Sequence, residues 1–135
     1  MPLDWINQAN TDGPVISKIL KQIEIPIISK AIQEKKTNQA VSDALTRGIR
    51  LVRGRLIDEA NREFRFAVEN LPELVNEEIR PVFQEFFQKE DWERALVLGL
   101  VLLKVQNNDF RLANDLGNCA RRLQKYKQAN NLYRH

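Results

Sequence analysis

Cysteine and histidine are almost missing from this sequence of 135 residues. Cys119 is the single cysteine and His135 the single histidine. A disulfide within the chain is therefore impossible, and metal-binding clusters of these residues are absent. Without an interior histidine or a glycine-rich phosphate loop, acid–base, nucleophilic and phosphate chemistry lack their usual residues. These absences predict a protein that is not an enzyme and binds no cofactor or metal. Cys119, among small residues, is interpreted as a packing residue instead of a reactive thiol.

Long hydrophobic runs are missing too. The longest, Leu96 to Leu103, has eight residues, whereas a membrane span needs about 18. The start, MPLDWINQ, has neither the basic flank nor the apolar stretch of a signal peptide. We therefore expect a cytoplasmic protein with no membrane span. Glycine and proline, at five each, are too few for a loop-rich β fold, and hydrophobic residues, at 43%, are enough for a core. Long charged segments with apolar residues at helical spacing predict an all-α fold.

Small and aromatic residues recur along the chain with a period of about 34 residues. Three alanines lie 35 and 34 residues apart, and the residue four places after each is aromatic in the first and third cases. The alanines are Ala60, Ala95 and Ala129, and the residues that follow them are Phe64, Gly99 and Tyr133. Such a recurrence indicates a repeated pair of helices.

The period and residue types resemble the tetratricopeptide repeat, in units of about 41–74, 76–109 and 110–135, the last incomplete. The first unit supplies Ala44, Gly48, Leu51, Ala60, Phe64, Ala67 and Pro72. The third supplies Ala113, Leu116, Gly117, Ala120, Tyr126, Ala129 and Tyr133. The second is degenerate: it keeps Trp92 and Ala95 but has Phe83 where the family has glycine, and Pro81 inside its first helix.

The resemblance implies a short right-handed α-solenoid of helical hairpins, in which the first helix of each pair lines a concave groove. Such a scaffold performs no chemistry, so the implied function is a protein interaction module that presents this groove to a peptide or helix, as part of a scaffold or regulatory protein. The third unit stops before the usual capping helix. We interpret the chain as the N-terminal piece of a longer protein, with self-association of the open end as the alternative.

Polar stretches divide the chain into a flexible arm (1–13), a helical cap (14–37) and the repeat domain (38–135). The cap has an apolar stripe from Ile16 to Ala31, interrupted by Pro26. The gap at Glu34–Asn38 predicts a new helix capped by Thr37 or Asn38. After a turn at Gly54, the next helix is expected from about Leu56 to Glu69. Another begins at Asn76 or a neighbour, with a kink or restart at Pro81. A helix from Trp92 to Val105 follows an Asp91 cap, and two more helices follow Asp109.

The resemblance also assigns the groove residues. They are Arg111, Asn114, Asn118, Arg121 and Arg122 in the third unit, Gln84 in the second, and Leu45, Ile49 and Val52 in the first. Asn114 and Asn118 are spaced i, i+4, so their amides would project together toward a peptide backbone. The neighbouring arginines suit carboxylates. The alternative is an ordinary solvated helix face.

Two apolar segments need a cover. Leu45, Ile49 and Val52 would form an exposed strip for an amphipathic helix, for which residues 14–33 are the nearest candidate, or they belong to the core. The run Leu96–Leu103 is apolar nearly all round, so the rest of the chain or a second protomer must cover it. A structural dimerisation unit built on this run is therefore the second functional hypothesis, with a homodimer as the partner.

Charge is unevenly distributed, although the net charge is only +3. Residues 69–94 hold eight acidic and three basic residues, and residues 110–135 hold six basic residues and one acidic. Basic clusters raise nucleic-acid binding as a lesser alternative: Arg47, Arg50, Arg53 and Arg55, with Arg121, Arg122, Lys125 and Lys127. Against it, Asp58, Glu59 and Glu63 follow the first cluster, and no nucleic-acid motif is present.

Overall fold

The computed structural model describes residues 25–135. Among these residues it contains six α-helices and no strand, which confirms the predicted all-α class. The helices are α1 (Ile25–Arg53), α2 (Ile57–Asn70), α3 (Pro72–Gln88), α4 (Trp92–Val105), α5 (Phe110–Arg122) and α6 (Tyr126–Tyr133). The predicted arm and the beginning of the stripe at Ile16 lie outside this range. Pro26 is the second residue of α1, and the interruption predicted there involves the residues before Ile25, which also lie outside the range.

Helix α1 passes without interruption through Glu34–Asn38, so the predicted helix start at Thr37 or Asn38 is wrong. Glutamate, lysine and glutamine are good helix formers, and a polar stretch on a solvated helix needs no break. Gln39 even supports the helix, since its Nε2 donates to Asp43 Oδ1 at 2.9 Å. The chain divides into two compact units between Lys36 and Thr37, and the packing below is that of Thr37–His135.

Helix α3 begins four residues earlier than Asn76, at Pro72, and continues through Pro81, so the predicted restart at Pro81 is wrong. Proline suits the first turn of a helix because the amide hydrogen that it lacks would have no partner there. Leu71 is the single residue between α2 and α3. Pro81 is exposed, so the carbonyl left without its amide partner is close to solvent. The predicted Asp91 cap of α4 is confirmed, since Asp91 Oδ1 accepts from the Arg94 amide at 3.3 Å.

The turns that follow α1, α3 and α5 share one backbone hydrogen-bond pattern. Each contains one residue with a positive φ: Arg55 at 63°, Glu90 at 60° and Gln124 at 62°. In each turn the next amide donates to the carbonyl five residues earlier: Leu56 to Leu51 at 2.8 Å, Asp91 to Phe86 at 2.9 Å and Lys125 to Ala120 at 2.8 Å. This is a common way of ending a helix. Gly54, expected to mark the first turn, precedes the left-handed residue and does not supply it.

A small residue faces a ring in each of these helix pairs. A Cβ added to Gly48 would lie 2.8 Å from Phe64 Cδ1, and one added to Gly117 would lie 2.5 Å from Tyr133 Cε1. In the middle pair the glycine is on the second helix: a Cβ on Gly99 of α4 would lie 2.9 Å from Phe83 Cε1 of α3, and still closer to the Leu116 side chain of α5. Such distances are too short for an alanine. The unit that looked degenerate in sequence therefore keeps one glycine and one ring in contact.

The recurring alanines occupy equivalent, buried places. Ala60 and Ala95 have no exposed surface and Ala129 is 2% exposed. The amide of each donates to the carbonyl of the residue that closes the preceding turn: Leu56 at 3.0 Å, Asp91 at 2.9 Å and Lys125 at 2.9 Å. The core between the helices is otherwise aliphatic and aromatic. Its largest fully buried side chains are Phe64, Leu45, Ile79, Leu98, Leu102 and Leu116.

Candidate peptide-binding surface

Helix α5 separates buried and exposed residues cleanly. The buried side consists of Leu112, Ala113, Leu116, Gly117, Cys119 and Ala120. Arg111, Asn114, Arg121 and Arg122 are exposed, and Asn118 is half-buried at the edge of the same side. The period of 3.6 residues per turn produces this division, because each apolar residue recurs three or four places after the last. The five predicted residues of the third unit therefore share one polar face.

The two asparagines on this face are not equivalent. Asn118 Oδ1 accepts a hydrogen bond from the Tyr133 hydroxyl at 2.6 Å, which ties α5 to α6. Its amide nitrogen still has donors to offer, but the oxygen is already engaged. Asn114 is exposed and makes no side-chain hydrogen bond within residues 25–135. Asn114 can therefore pair with both the N–H and the C=O of a peptide, whereas Asn118 mainly donates. The sequence showed Tyr133 only as a packing ring.

The three arginines differ in how firmly they are held. The Arg122 guanidinium lies 5.5 Å from the centre of the Trp92 ring, which restrains it by a cation–π contact. Arg111 lies one turn before Asp115, and its positive charge acts to lower the pKa of that carboxyl. Arg121 has no ion pair in the described part of the chain. Arg121 is thus the residue of this face most available to an incoming carboxylate.

Asp115 also lies on the polar side of α5, and the sequence prediction missed it. Burial raises the pKa of this carboxyl above its ordinary value, and the charge of Asp109 adds to the effect, while Arg111 opposes it. A half-buried carboxylate among cations lowers the positive charge of the face. Its position one turn after Arg111 would have placed Asp115 on the same side of the helix from the sequence alone. The face is therefore suited to a ligand that is polar and only mildly acidic.

Gln84 is exposed on α3, one turn after Arg80. Arg80 Nη2 lies 3.3 Å from Asp109 Oδ2, and Asp109 caps the start of α5 by accepting from the Leu112 amide at 3.0 Å. Arg80 Nε also donates to Asn76 Oδ1 at 3.1 Å. The side of α3 that carries Gln84 is thus linked to the beginning of α5, and Gln84 lies one turn further along it.

The predicted apolar strip on α1 is corrected by the structure. Leu45 and Val52 have no exposed surface, and Ile49 is half-buried. Leu45 and Val52 are core residues and offer no surface to a peptide. The alternative prediction, that these residues belong to the core, is therefore the correct one for both. Sequence periodicity could not separate these possibilities, since an apolar residue at helical spacing faces either a core or a groove. Ile49 alone keeps some surface.

The basic cluster on α1 and the turn after it is partly neutralised. Arg47 Nη2 lies 3.1 Å from Glu63 Oε2, and Arg53 Nη2 lies 2.8 Å from Glu85 Oε2. Hydrogen bonds from Arg53 and Lys89 lower the pKa of Glu85. Arg50 and Arg55 have no ion pair in the described residues. Half of this cluster is therefore engaged within the protein.

Cys119 lies on the buried side of α5 with no exposed surface. Burial raises the pKa of its thiol to about 11, and the nearby charge of Asp115 adds to the effect. At neutral pH the thiol is therefore protonated, and the thiolate is the reactive form. The buried position agrees with its interpretation as a packing residue.

Within residues 25–135 there is no group of three or more histidine, cysteine or acidic side chains that could hold a metal ion. None of the helices in this range is both long and apolar enough to cross a membrane. The chain matches no family model, no curated protein and no solved structure.

Proposed function

We propose that residues 37–135 are a tetratricopeptide-like module that binds a protein partner through a peptide or helix. The observation that carries the proposal is the threefold recurrence of one turn and one glycine–ring contact. Helix pairs joined and packed in the same way stack with a constant rotation, and such stacking produces a short solenoid with a concave side. The right-handed solenoid and its groove are part of the proposal.

The polar side of α5 supports the choice of ligand. Asn114 and Arg121 are exposed and without partners in the described residues, so binding a peptide would break no hydrogen bond or ion pair of the protein. The asparagine amide can bind the peptide backbone and the arginine a carboxylate. The function is thus non-enzymatic, as a scaffold or regulatory element. A cytoplasmic location belongs to the proposal, because a single cysteine that forms no internal disulfide suits a reducing compartment.

Selection from a library of random peptides, with free carboxyl termini, tests the proposal. We expect selected peptides to bind the wild-type chain in a calorimetric titration, and Asn114→Ala with Arg121→Glu to weaken binding at least about tenfold, or about 1.4 kcal/mol. Arg62→Glu on α2 is the control for a charge reversal elsewhere and should bind like the wild type. If the double variant selects and binds the same peptides unchanged, the polar side of α5 is not the site.

A further inference from the structure

A second concave surface lies on the other side of the helix pairs, between α2, α4 and α6. The cleft has a volume of about 700 Å3. Helix α4 provides its floor, α2 one wall and the two ends of α6 the other. The lining residues are Ile57, Asn61 and Arg65 of α2, Glu93, Leu96, Val97, Leu100, Val101, Leu103 and Lys104 of α4, and Lys125, Gln128 and His135 around α6. None of them belongs to the peptide-binding surface proposed above.

The floor explains why α4 is apolar nearly all round. Leu98 and Leu102 have no exposed surface and face the core. Val97 and Leu100 lie on the opposite side and are only half-buried, with Val101 beside them at 4% exposure. The spacing of Val97, Leu100, Val101 and Lys104 makes a stripe that runs along the helix axis. A stripe of this kind is complementary to the ridge of side chains on another helix.

The cleft continues into a smaller depression of about 270 Å3 between α2 and α4. The two share Asn61, Arg65, Val101 and Lys104, and the depression adds Phe64, Val68 and Glu69. The distance along α4 from Glu93 to Lys104 is about 16 Å, at about 1.5 Å per residue. The groove is therefore long enough for about three turns of a bound helix, so its length also suits a helical ligand.

Unpaired cations surround the apolar floor. Arg65, Lys104 and Lys125 form no ion pair in the described part of the chain. The acidic residues on the groove, Glu93 and Glu69, form no ion pair in that part of the chain either, so the groove has three cations against two carboxylates. The excess of positive charge favours a ligand that carries carboxylates on both sides of its apolar ridge.

We propose that this cleft binds an acidic amphipathic α-helix of a partner protein. Its aliphatic side chains would lie over Val97 and Leu100, and its aspartates and glutamates would pair with Arg65, Lys104 and Lys125. A second copy of this chain is a poorer occupant, because a two-fold interface centred on α4 would bring the same cations toward one another. The site is separate from the polar side of α5, so the module would hold two ligands at once.

The probe is a fluorescein-labelled peptide of about 18 residues, long enough to span the groove as a helix. It contains leucine at i, i+3, i+4 and i+7 and glutamate elsewhere, and a scrambled peptide of the same composition distributes the leucines around the helix. We expect fluorescence anisotropy to show at least tenfold tighter binding of the patterned peptide than of the scrambled one. Equal binding of the two would mean nonspecific charge attraction and would overturn the proposal.

Variants locate the binding. Lys104→Glu with Lys125→Glu should weaken binding of the patterned peptide at least tenfold, whereas Arg50→Glu with Lys127→Glu, the same charge change at exposed positions outside the cleft, should not. Leu100→Gln, with its fold checked by circular dichroism, should also weaken binding. Equal effects of the two charge reversals would overturn the proposal. So would a wild-type dimer, measured by light scattering, that Leu100→Gln converts to a monomer, because the occupant would then be a second copy.

Discussion

Gly48, Gly99 and Gly117 each lie where a side chain would collide with a neighbouring helix. Gly48 and Gly117 are on the first helices of their pairs, while Gly99 is on a second helix with Phe83 across from it. Exchanging the positions of glycine and ring leaves the summed volume unchanged, and core packing tolerates such exchanges. Close approach of two helices is therefore the property that these positions preserve, whichever helix supplies the glycine.

Gly48→Ala should lower the free energy of unfolding by about 1 to 3 kcal/mol, because the added methyl group would force the buried Phe64 ring aside. Gly54→Ala is the matched control. Its Cβ would meet the Arg50 carbonyl oxygen at 3.6 Å, an ordinary contact, and alanine is the better helix former. Urea denaturation measures both. A Gly48→Ala protein as stable as Gly54→Ala would contradict the close packing of α1 on α2.

Cys119 should react with Ellman's reagent only after unfolding. The thiol is buried and its pKa is raised to about 11, so at pH 8 the folded protein presents almost no thiolate. Absorbance at the wavelength of the released thionitrobenzoate measures the rate in buffer and in about 8 M urea, well above the unfolding midpoint of typical small domains. Rapid reaction of the folded protein would show that the buried side of α5 opens readily.

Asp115→Asn should stabilise the protein slightly at pH 7. Because burial raises the folded-state pKa of Asp115, the folded state holds this proton more tightly than the unfolded state does. The wild-type protein therefore loses stability as the pH rises from the unfolded-state pKa of Asp115 to its folded-state pKa. Above the folded-state pKa the loss is complete. The advantage of the variant should disappear at about pH 3, below the ordinary aspartate pKa. Urea denaturation at both values decides, and a less stable variant at pH 7 would be inconsistent with this account.

At the level of elements, the ends of α1, α3 and α5 are defined by left-handed residues that are not glycine. An ordinary residue in this conformation costs about 1 kcal/mol relative to glycine. The same hydrogen bonds recur with Arg55, Glu90 and Gln124, and none of these residue types favours the left-handed conformation, so we attribute the turn to the packing of the two helices. The turn predicted at Gly54 is where the structure has it, but the left-handed residue of that turn is Arg55 and not the glycine.

Arg55→Gly should therefore raise the free energy of unfolding by about 0.5 to 1 kcal/mol, since glycine adopts the left-handed conformation without a clash. Arg55 is exposed and has no ion pair among residues 25–135, so little else is lost. Arg55→Ala controls for removal of the side chain and should leave stability nearly unchanged. Thermal and urea denaturation measure the difference. A glycine variant no more stable than the alanine variant would argue against a strained turn.

For the molecule as a whole, Arg94 links successive helix pairs. Its Nε donates to the Val52 carbonyl at 3.1 Å and its Nη2 to the Arg53 carbonyl at 2.8 Å, so a cation from α4 caps the carboxyl end of α1. Asp91 holds the same guanidinium at 2.5 Å. These hydrogen bonds join residues 41 and 42 positions apart. The ion pair between Arg53 and Glu85 also links the first helix pair to the second.

Arg94→Met should destabilise the protein by about 2 kcal/mol, because charged hydrogen bonds in a partly buried place contribute about 1.5 to 3 kcal/mol. Lys89→Met removes an exposed ion pair with Glu85 at 3.3 Å, and such pairs contribute about 0 to 1 kcal/mol. Urea denaturation of both variants and the wild type measures the difference. If the two substitutions cost the same, Arg94 does not fasten α4 to α1.

The sequence by itself determined the helical class, the recurrence of alanine, the cap at Asp91 and the polar side of α5, because each depends on local preference or on the period of one helix. Only the tertiary structure decided that Leu45 and Val52 are buried, that α1 continues through Glu34–Asn38, and that Phe83 and Gly99 exchange roles. It also decided that the outer side of α4 is the floor of a cleft. These properties depend on which helix lies opposite a residue, and periodicity within a single helix contains no information about its neighbours.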